Sequence, residues 1–221
     1  MKKHLLTIAS VAMIAGVVSF SSCKKDDTTA PTITVTGGNA QTVSLNSTYS
    51  NPTATAADDV DGDLSANITV GGDVVNPNLA GVYNITYTVS DAAGNTATEN
   101  VAITVANDAA FLGGTYAADD TCQVSWVSPY SMTWAASTTV NDQVTINNLS
   151  NFGTGINITA NTNAAHTTLS FPTPQTIGSL GSFNSGNGSY THTGSTVSGT
   201  ITWQWTDSSS NTEVCTTTMS K

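Results

Sequence analysis

The sequence predicts an all-β protein built from two successive antiparallel β domains. Charged residues make up only 9% of the chain, against about 25% in an average protein. Thr, Ser, Asn and Gly supply the polarity instead, and this composition favours strands and turns. Short segments of alternating apolar residues are separated by turn sequences, and no helical periodicity of useful length follows residue 22.

The N-terminus carries an export signal. Lys2, Lys3 and His4 precede an apolar stretch of about 14 residues, which suits a signal peptide and is short of the about 20 that a membrane span needs. Small residues then lead into Cys23, and this arrangement resembles the signal of bacterial lipoproteins. The resemblance implies removal of residues 1–22 and lipidation of Cys23, for example by palmitate. The alternative is an ordinary secretory signal followed by an incidental cysteine.

The residues after Cys23 narrow the predicted location. The sequence "CKKDD" resembles the export signal of Bacteroidota surface lipoproteins, in which lysines and acids follow the lipidated cysteine. It implies a protein anchored in the outer membrane and facing outward. We expect residues 23–30 to be a lipidated tether.

Residues 31–105 predict the first domain. About seven short strands with close turn signals indicate a sandwich. The blocks "DDVDGDL" and "YTVSDAAGN" resemble a bacterial Ig-like family described from a pesticidal crystal protein, also called domain of unknown function 5011. The resemblance implies an Ig-like β-sandwich with a spacer, adhesion or binding role.

Residues 106–110 mark the predicted boundary, and residues 109–221 form the second antiparallel domain. Eight or nine strands separated by turns such as "SPYS", "NFGTG", "NSGNG" and "TDSSSN" indicate a meander that closes into a barrel or folds into a sandwich. An even pair of cysteines in an exported protein predicts a disulfide between Cys122 and Cys215. It would close a loop of about 93 residues, worth about 4–5 kcal/mol by loop entropy. The alternative is two reduced core thiols.

The stretch "DDVDGD" holds four carboxylates. No register satisfies an EF-hand. With Gly62 at the sixth position the first and twelfth ligands fall on Ala57 and Ile68, and with Asp59 first the sixth position, which requires Gly, is Leu64. The end-to-end geometry of an Ig-type sandwich brings this loop near the turn that begins at Asp91. The sequence therefore leaves two alternatives, a solvated turn or a structural calcium site. The predicted ligands are Asp58, Asp59, Asp61, Asp63, Asp91 and Asn95.

The four tryptophans all lie in the second domain. Trp203 and Trp205 share one face of a strand because they are two residues apart. That face is either the core or an exposed aromatic platform for a sugar ring or another apolar ligand. The predicted ligand-binding set is Trp126, Trp134, Trp203 and Trp205.

The charge and motifs restrict the function. There is no Arg, and after removal of residues 1–22 three Lys face 15 acids, so nucleic acid is not an expected partner. His166 and His192 lie in no metal-binding spacing. We therefore expect a non-enzymatic surface lipoprotein whose Ig-like spacer presents the second domain to a glycan or protein. The alternatives are a purely structural envelope component, or an enzyme in which His166 or His192 meets a carboxylate, such as Asp119, Asp120 or Glu213, in a pocket.

Overall fold

The computed structural model describes residues 26–123 and 126–221, without the side chains of 126–128. The predicted signal peptide 1–22 and Cys23 lie outside the described residues. The predicted all-β class is confirmed. Helical structure in the described ranges is limited to short 3-10 segments at Ser65–Asn67, Asp108–Leu112, Leu149–Asn151 and Gly178–Leu180. None of the described helices has the length and apolar character to cross a membrane.

The Ig-like domain consists of two facing sheets. Its strands are β1 (Thr32–Val35), β2 (Ala40–Ser44), β3 (Ala54–Asp58), β4 (Gly62–Asp63), β5 (Thr69–Gly72), β6 (Gly81–Ser90) and β7 (Thr96–Ala106). One sheet has the order β1-β3-β4 and the other β2-β7-β6-β5. Along β6 and β7 the buried residues alternate with more exposed ones, and this period of two places one face of the sheet against the core.

The sequence had predicted an antiparallel domain, but one pair of strands in it is parallel. β2 pairs in parallel with β7, in a register that places Ala40 opposite Ala102. β1 belongs to the other sheet, so the chain changes sheets between the two strands. Gly37 and Gly38, with φ of +84° and +79°, make this step possible because glycine adopts positive φ without steric cost.

Two small hydrophobic clusters form the interior of the Ig-like domain. One contains Val35, Ile85, Tyr87, Val101 and Ile103. The other contains Ala56, Leu64 and Val89. The buried ring of Tyr87 also has its hydroxyl satisfied, because it donates to the carbonyl of Pro52 at 2.6 Å. Partly buried Ile33 and Ile68 pack against both clusters and join them.

The second domain is a closed β-barrel, one of the two architectures that the sequence had left open. Its strands are β8 (Gly114–Cys122), β9 (Trp126–Ala136), β10 (Gln143–Asn147), β11 (Asn157–Thr162), β12 (Thr168–Ser170), β13 (Gln175–Thr176), β14 (Gly181–Thr193), β15 (Thr196–Asp207) and β16 (Thr212–Ser220). The order is β12-β11-β10-β9-β8-β16-β15-β14-β13, and β12 also pairs with β14. That extra pairing closes eight antiparallel strands into a ring.

Two predicted turns are instead parts of strands. The sequence "SPYS" lies inside β9, where a register shift opposite Ala118 and Asp120 accommodates the proline. The sequence "NSGNG" lies inside β14. A Cβ at Gly186 would lie 2.7 Å from the Phe183 ring, and one at Gly188 would lie 2.8 Å from the carbonyl oxygen of Thr200. These glycines therefore provide space at the closing seam of the barrel and do not reverse the chain.

The domain junction is a network of hydrogen bonds around the loop between β9 and β10. Asn107 is buried, and its Nδ2 donates to the carbonyls of residues 137, 140 and 143 at 2.9–3.0 Å. Its Oδ1 accepts from the backbone N–H groups of Ala109 and Asp142. From the Ig-like side, Asn46 Oδ1 accepts from the N–H of Asn141 at 2.8 Å. The boundary segment is therefore held in place from both domains.

Candidate functional site

Four aspartates bring their carboxylates together at one end of the Ig-like domain. One oxygen of each lies within 4.8 Å of the others in the group Asp27, Asp58, Asp61 and Asp91. Three of these four belong to the predicted calcium set, and the fourth lies in the predicted tether. The set of ligands is made of hard oxygen atoms, which Ca²⁺ prefers.

The loop after β3 fixes Asp58 and Asp61. Asp58 Oδ1 accepts from the backbone N–H groups of Val60 at 2.9 Å and Asp61 at 3.0 Å, so it closes a tight turn. Gly62 follows with φ of +75°, which reverses the chain into β4. Asp61 Oδ2 accepts from the N–H of Ala92 at 2.8 Å and ties this loop to the turn between β6 and β7. The predicted approach of the two loops therefore occurs.

Asp91 is held by Asn95 across the turn between β6 and β7. Its Oδ1 accepts from the backbone N–H of Asn95 at 2.8 Å, and its Oδ2 accepts from Asn95 Nδ2 at 2.7 Å. The side chain is only 8% exposed. Burial opposes ionisation, but hydrogen bonds from Asn95, with further ones from Gly94 and Ala93, outweigh it and lower the pKa of Asp91 below its ordinary value. Asp91 is therefore held in its charged form.

Sequence reasoning missed Asp27. Its backbone carbonyl accepts from Asn95 Nδ2 at 3.2 Å, and its Oδ1 accepts from the N–H of Thr29. The second oxygens of Asp27 and Asp58 each expose less than 1 Å² and have no hydrogen-bond partner among the described residues. Burying a carboxylate oxygen without a partner is costly, so these two atoms are available to a cation. The one sequence signal for Asp27 was its place in the acidic pair that follows Lys24 and Lys25.

Two predicted ligands do not join the group of four carboxylates. Asp63 Oδ1 accepts from the N–H of Ser65 at 2.9 Å and from its Oγ at 2.6 Å, and these bonds lower the pKa of Asp63. Asp63 is therefore bonded to Ser65, the first residue of the short 3-10 segment that follows. Asp59 is exposed and lies outside the group. Asn95 contacts the group through its amide nitrogen, as a hydrogen-bond donor to Asp91 and Asp27.

All charged side chains of the Ig-like domain are negative, like the four carboxylates of the acidic group. Residues 26–107 contain nine Asp and Glu side chains and no Lys, Arg or His. Residues 26–107 therefore supply no cationic side chain to neutralise the converging carboxylates, and Lys24 and Lys25, which precede Asp27, lie outside the described residues. Mutual repulsion favours either protonation or a bound cation, and the hydrogen bonds that lower the pKa of Asp91 oppose the first.

The tryptophan platform requires a correction. Trp134 and Trp203 are 3% and 1% exposed and belong to the barrel core. The indole N–H of Trp203 donates to Thr217 Oγ1 at 2.9 Å, which satisfies its polar atom inside the barrel. These two rings face inward because the alternation of β9 and β15 places them on the concave side. Neither is therefore accessible to a ligand.

The other two tryptophans differ from this pair. Trp205 is half-buried and packs against the half-buried ring of Phe152, with ring centroids 5.1 Å apart. The backbone of Trp126 begins β9, but its side chain lies outside the described part of the structure. Trp205 with Phe152 is therefore the partly accessible aromatic pair that remains from the predicted set.

The predicted disulfide is confirmed. Cys122 and Cys215 are bonded, with their Cα atoms 4.1 Å apart and directly opposite in the pairing of β8 with β16. The bond thus joins the first and last strands of the barrel, as the meander had indicated. A neighbouring buried carboxylate, Asp120, accepts at Oδ1 from Tyr130 Oη at 2.9 Å and from Thr217 Oγ1 at 2.7 Å.

One histidine meets a carboxylate, as the enzyme alternative requires, but this carboxylate is not one of the three named as examples. His166 Nε2 lies 3.0 Å from Asp142 Oδ1 in the loop before β10. His192 is exposed and lies against Phe111, with ring centroids 4.5 Å apart. The expected partners Asp119, Asp120 and Glu213 are elsewhere on the barrel, and Asp120 is engaged inside it.

Residues 33–105 match the family described as "Bacterial surface protein, Ig-like domain". This match supports the coarser part of the predicted resemblance, namely a bacterial Ig-like module. The narrower assignment to the pesticidal-crystal-protein family stays a prediction. Among curated proteins, no sequence match was found.

Several solved structures share a distant similarity. The lipoprotein BT2262 from Bacteroides thetaiotaomicron is 17% identical with a TM-score of 0.34, over 85% of this chain and 99% of that one. A structure of CBM51-2 with GlcNAc and INT domains from Clostridium perfringens ZmpB is 15% identical with a TM-score of 0.30, over 79% of this chain and 29% of that one. The M60 catalytic domain with CBM51-1 and CBM51-2 of ZmpB is 14% identical with a TM-score of 0.31, over 80% and 14%. At these TM-scores the similarity transfers neither a fold nor a ligand to this protein.

Proposed function

We propose that the chain is a non-enzymatic lipoprotein of the bacterial cell surface, anchored in the outer membrane through Cys23. In this proposal the Ig-like domain is a spacer that holds the β-barrel away from the membrane. One observation supports this proposal: the tether and the barrel connect to the Ig-like domain at opposite ends of the β6–β7 hairpin. The matched family of residues 33–105, a bacterial surface Ig-like domain, supports the location.

The register of the hairpin defines these two ends. Ser90 pairs with Thr96 beside the acidic group, where Asp27 contacts Asn95. At the other end, Gly81 pairs with Val105, next to the junction with the barrel. β6 has ten residues, and at about 3.3 Å per residue it separates the ends by about 30 Å. A chain that enters at one end and leaves at the other is suited to a spacer.

The anchor is tested by membrane fractionation of cells that express the full chain. We expect Cys23→Ala to release the protein from the membrane fraction and to abolish incorporation of labelled fatty acid. Ser22→Ala is the matched control, because it keeps a small residue before the cysteine and should remain membrane-bound. Membrane association of Cys23→Ala equal to that of the unaltered protein would exclude the lipid anchor.

We further propose that the acidic group holds a structural Ca²⁺. The four residues Asp27, Asp58, Asp61 and Asp91 would supply the carboxylate oxygens. The two buried oxygens without hydrogen-bond partners favour this over a solvated turn, because a turn exposes its carboxylates to water. Bound calcium would neutralise the repulsion and join the tether, the loop after β3 and the turn after β6.

Calorimetry of the purified full chain with CaCl₂ tests this site. We expect binding by the unaltered protein and at least about a tenfold weaker affinity for Asp58→Asn, since the number of charged ligands sets calcium affinity. Asp59→Asn is the matched control, because it removes the same charge from an exposed neighbour outside the group. Equal affinities of the two variants, or no binding by the unaltered protein, would leave only the turn.

For the barrel we propose a binding role toward a glycan or a surface protein, with Trp205 and Phe152 as the contact pair. Half-buried aromatic rings offer both a fixed position and an accessible face, which suits stacking on a sugar ring. A glycan array with the full chain tests this, with Trp205→Ala as the disabling variant. Val140→Ala serves as the control, because it removes an exposed apolar side chain from the loop between β9 and β10. Absence of binding in all three proteins would favour a purely structural envelope component.

A further inference from the structure

The Ig-like domain leaves one side of β5 without a neighbouring strand. Its sheet has the order β2-β7-β6-β5, so β5 is an edge strand. The N–H of Asp73 donates to the carbonyl of Asn84 at 2.8 Å, and alternate residues of β6 therefore direct their backbone groups toward β5. Thr86 is one of these residues, and it is paired with Gly71. The adjacent residue Val70 consequently directs its N–H and C=O away from the sheet.

The free side of β5 lies along a groove of about 360 Å³. Residues 70–75 form one wall of this groove, and residues 49–51 form the other. No backbone group of residues 49–51, Val74 or Val75 is hydrogen-bonded to another described residue. Both walls therefore offer unpaired N–H and C=O groups. Hydrogen bonds to such groups are what gives an extended peptide its affinity for a sheet edge.

Apolar side chains lie beside this unpaired backbone. Val70 is 49% exposed and Val74 is 91% exposed. Proteins commonly block an exposed edge with Lys or Pro, and residues 69–75 contain neither. The one charged residue of this segment, Asp73, is engaged within its own sheet, because its Oδ2 accepts from the N–H of Asn84 at 2.8 Å. The edge is therefore open to pairing with a further strand.

The charge of the domain determines which kind of strand fits. Residues 26–107 contain nine Asp and Glu side chains and no Lys, Arg or His. A second copy of the domain would bring nine further negative charges, and like charges brought together across an interface oppose association. A segment that carries Lys or Arg is complementary in charge. Its β-branched residues suit both the extended conformation and the contacts with the two exposed valines.

We propose that the edge of β5 is a docking site for an extended segment of a partner protein in which β-branched residues alternate with Lys or Arg. The segment adds a fifth strand to the sheet and bonds to the outward backbone groups of β5. Successive side chains of a strand point to opposite faces, so its apolar residues enter the groove while its basic residues face the solvent beside the acidic domain. This site lies within the matched region 33–105 and gives the spacer a partner of its own, independent of the calcium site and of the aromatic pair on the barrel.

A phage library of random nine-residue peptides provides the probe. It is selected on the immobilised, purified full chain at about 50 mM NaCl, where electrostatic attraction is only weakly screened. We expect enrichment of peptides in which Val, Ile or Thr alternate with Lys or Arg. The most enriched peptide is then synthesised, and calorimetry gives its dissociation constant. The affinity should fall at least about threefold between about 50 and about 500 mM NaCl, because salt screens the attraction.

Two substitutions locate the bound peptide. Val70→Lys places a positive charge on the β5 edge, so it repels a basic peptide and blocks pairing, and we expect at least about tenfold weaker affinity. Thr42→Lys is the matched control, because it places the same charge on an exposed β-branched residue of β2, the opposite edge of the same sheet. It should weaken binding by at most about twofold. Circular dichroism verifies that both variants fold, and hydrogen exchange of the unaltered protein should slow at the Val70 amide when the peptide is added.

The outcomes distinguish this site from the alternatives. Binding that is weakened in Val70→Lys, kept in Thr42→Lys and accompanied by protection of the Val70 amide supports the docking site. Equal affinities of the two variants would place the peptide elsewhere and overturn the proposal. A selection that enriches no peptide, or only peptides without Lys and Arg, also overturns it. Sedimentation of the purified chain tests the remaining occupant: a dimer that Val70→Lys abolishes would show that a second copy occupies the edge instead.

Discussion

The Ig-like domain and the barrel are both antiparallel for the most part, yet they are stabilised in different ways. The barrel closes eight strands around one continuous core and joins its first and last strands by a disulfide. The Ig-like domain keeps open sheet edges, has a much smaller set of buried core residues and has no cross-link among its described residues. It also concentrates negative charge at one end. The closed ring of strands and the disulfide stabilise the barrel, whereas the Ig-like domain contains a group of carboxylates that repel one another.

This contrast can be measured because the chain supplies its own reporters. All four tryptophans lie between residues 126 and 205, and residues 26–107 contain three tyrosines and no tryptophan. Tryptophan fluorescence therefore reports unfolding of the barrel alone. Circular dichroism reports both domains, so the difference between the two signals gives the Ig-like domain.

The largest expected effect comes from emptying the barrel core. Trp203 is fully buried and packs against Phe183 at 5.8 Å and Phe152 at 5.6 Å between ring centroids. Trp203→Ala should lower the free energy of unfolding of the barrel by about 3–5 kcal/mol, since it leaves a cavity and removes the indole N–H that donates to Thr217 Oγ1. Urea denaturation followed by fluorescence of the remaining tryptophans measures it. Val82→Ala, at an exposed apolar residue of the Ig-like domain, should leave the barrel transition unchanged.

The disulfide ranks second. Replacing Cys122 and Cys215 by Ala should destabilise the barrel by about 2–5 kcal/mol, because the open chain regains the entropy that the closed loop removes from the unfolded state. The bond lies between adjacent, already paired strands, so the folded barrel should keep its strand order. Reduction by dithiothreitol gives the same measurement without substitution. A drop in the Ig-like transition equal to that of the barrel would contradict independent stabilisation of the two domains.

The fold was largely accessible from the sequence because strand periodicity and turn chemistry are local. β8, β15 and β16 lie where the alternation of apolar residues predicted them. The even cysteine count predicted the disulfide that joins β8 to β16. The errors arose where a local signal serves a distant contact. The glycines of "NSGNG" have the composition of a turn, but Gly186 and Gly188 are required because a Cβ would meet the rings of Phe183 and Phe171 and the Thr200 carbonyl oxygen of the paired strand.

The candidate site was harder to predict from the sequence for the same reason. Alternation showed that Trp203 and Trp205 share a face of a strand, but it does not tell which face of a closing barrel points inward. Asp58, Asp61 and Asp91 could be brought together from the known ends of a sandwich. Asp27 could not, because only the folded path of residues 26–30 returns it to Asn95. The hydrogen bonds of Asp63 to Ser65 likewise appear only when the loop is built.

The third effect concerns the junction of the two domains. Asn107→Ala should lower the free energy of unfolding by about 2 kcal/mol, because several buried carbonyls and N–H groups lose their partner. Its distinct consequence is coupling: the two transitions, which the junction holds together, should separate further in urea. Asn100→Ala, at an exposed residue of β7, is the control and should leave their separation unchanged. Unchanged separation in Asn107→Ala would mean that the domains unfold independently.

The smallest effect is expected at the turn between β15 and β16. Asp207 accepts hydrogen bonds from the side chain of Asn211 and from the N–H groups of Asn211 and Ser209, which outweigh partial desolvation and lower the pKa of Asp207. A carboxyl with a lowered pKa stabilises the fold above its unfolded value of 3.8, and this contribution is lost as the pH falls through the folded value. Asp207→Asn should therefore be slightly less stable than the unaltered barrel at pH 7, and the difference should vanish on acidification to about pH 2. Asp119→Asn, on the outer face of β8, measures the effect of removing one exposed charge. A difference between Asp207→Asn and the unaltered protein that grows toward low pH would have the opposite sign and would show that these hydrogen bonds do not favour the ionised carboxylate.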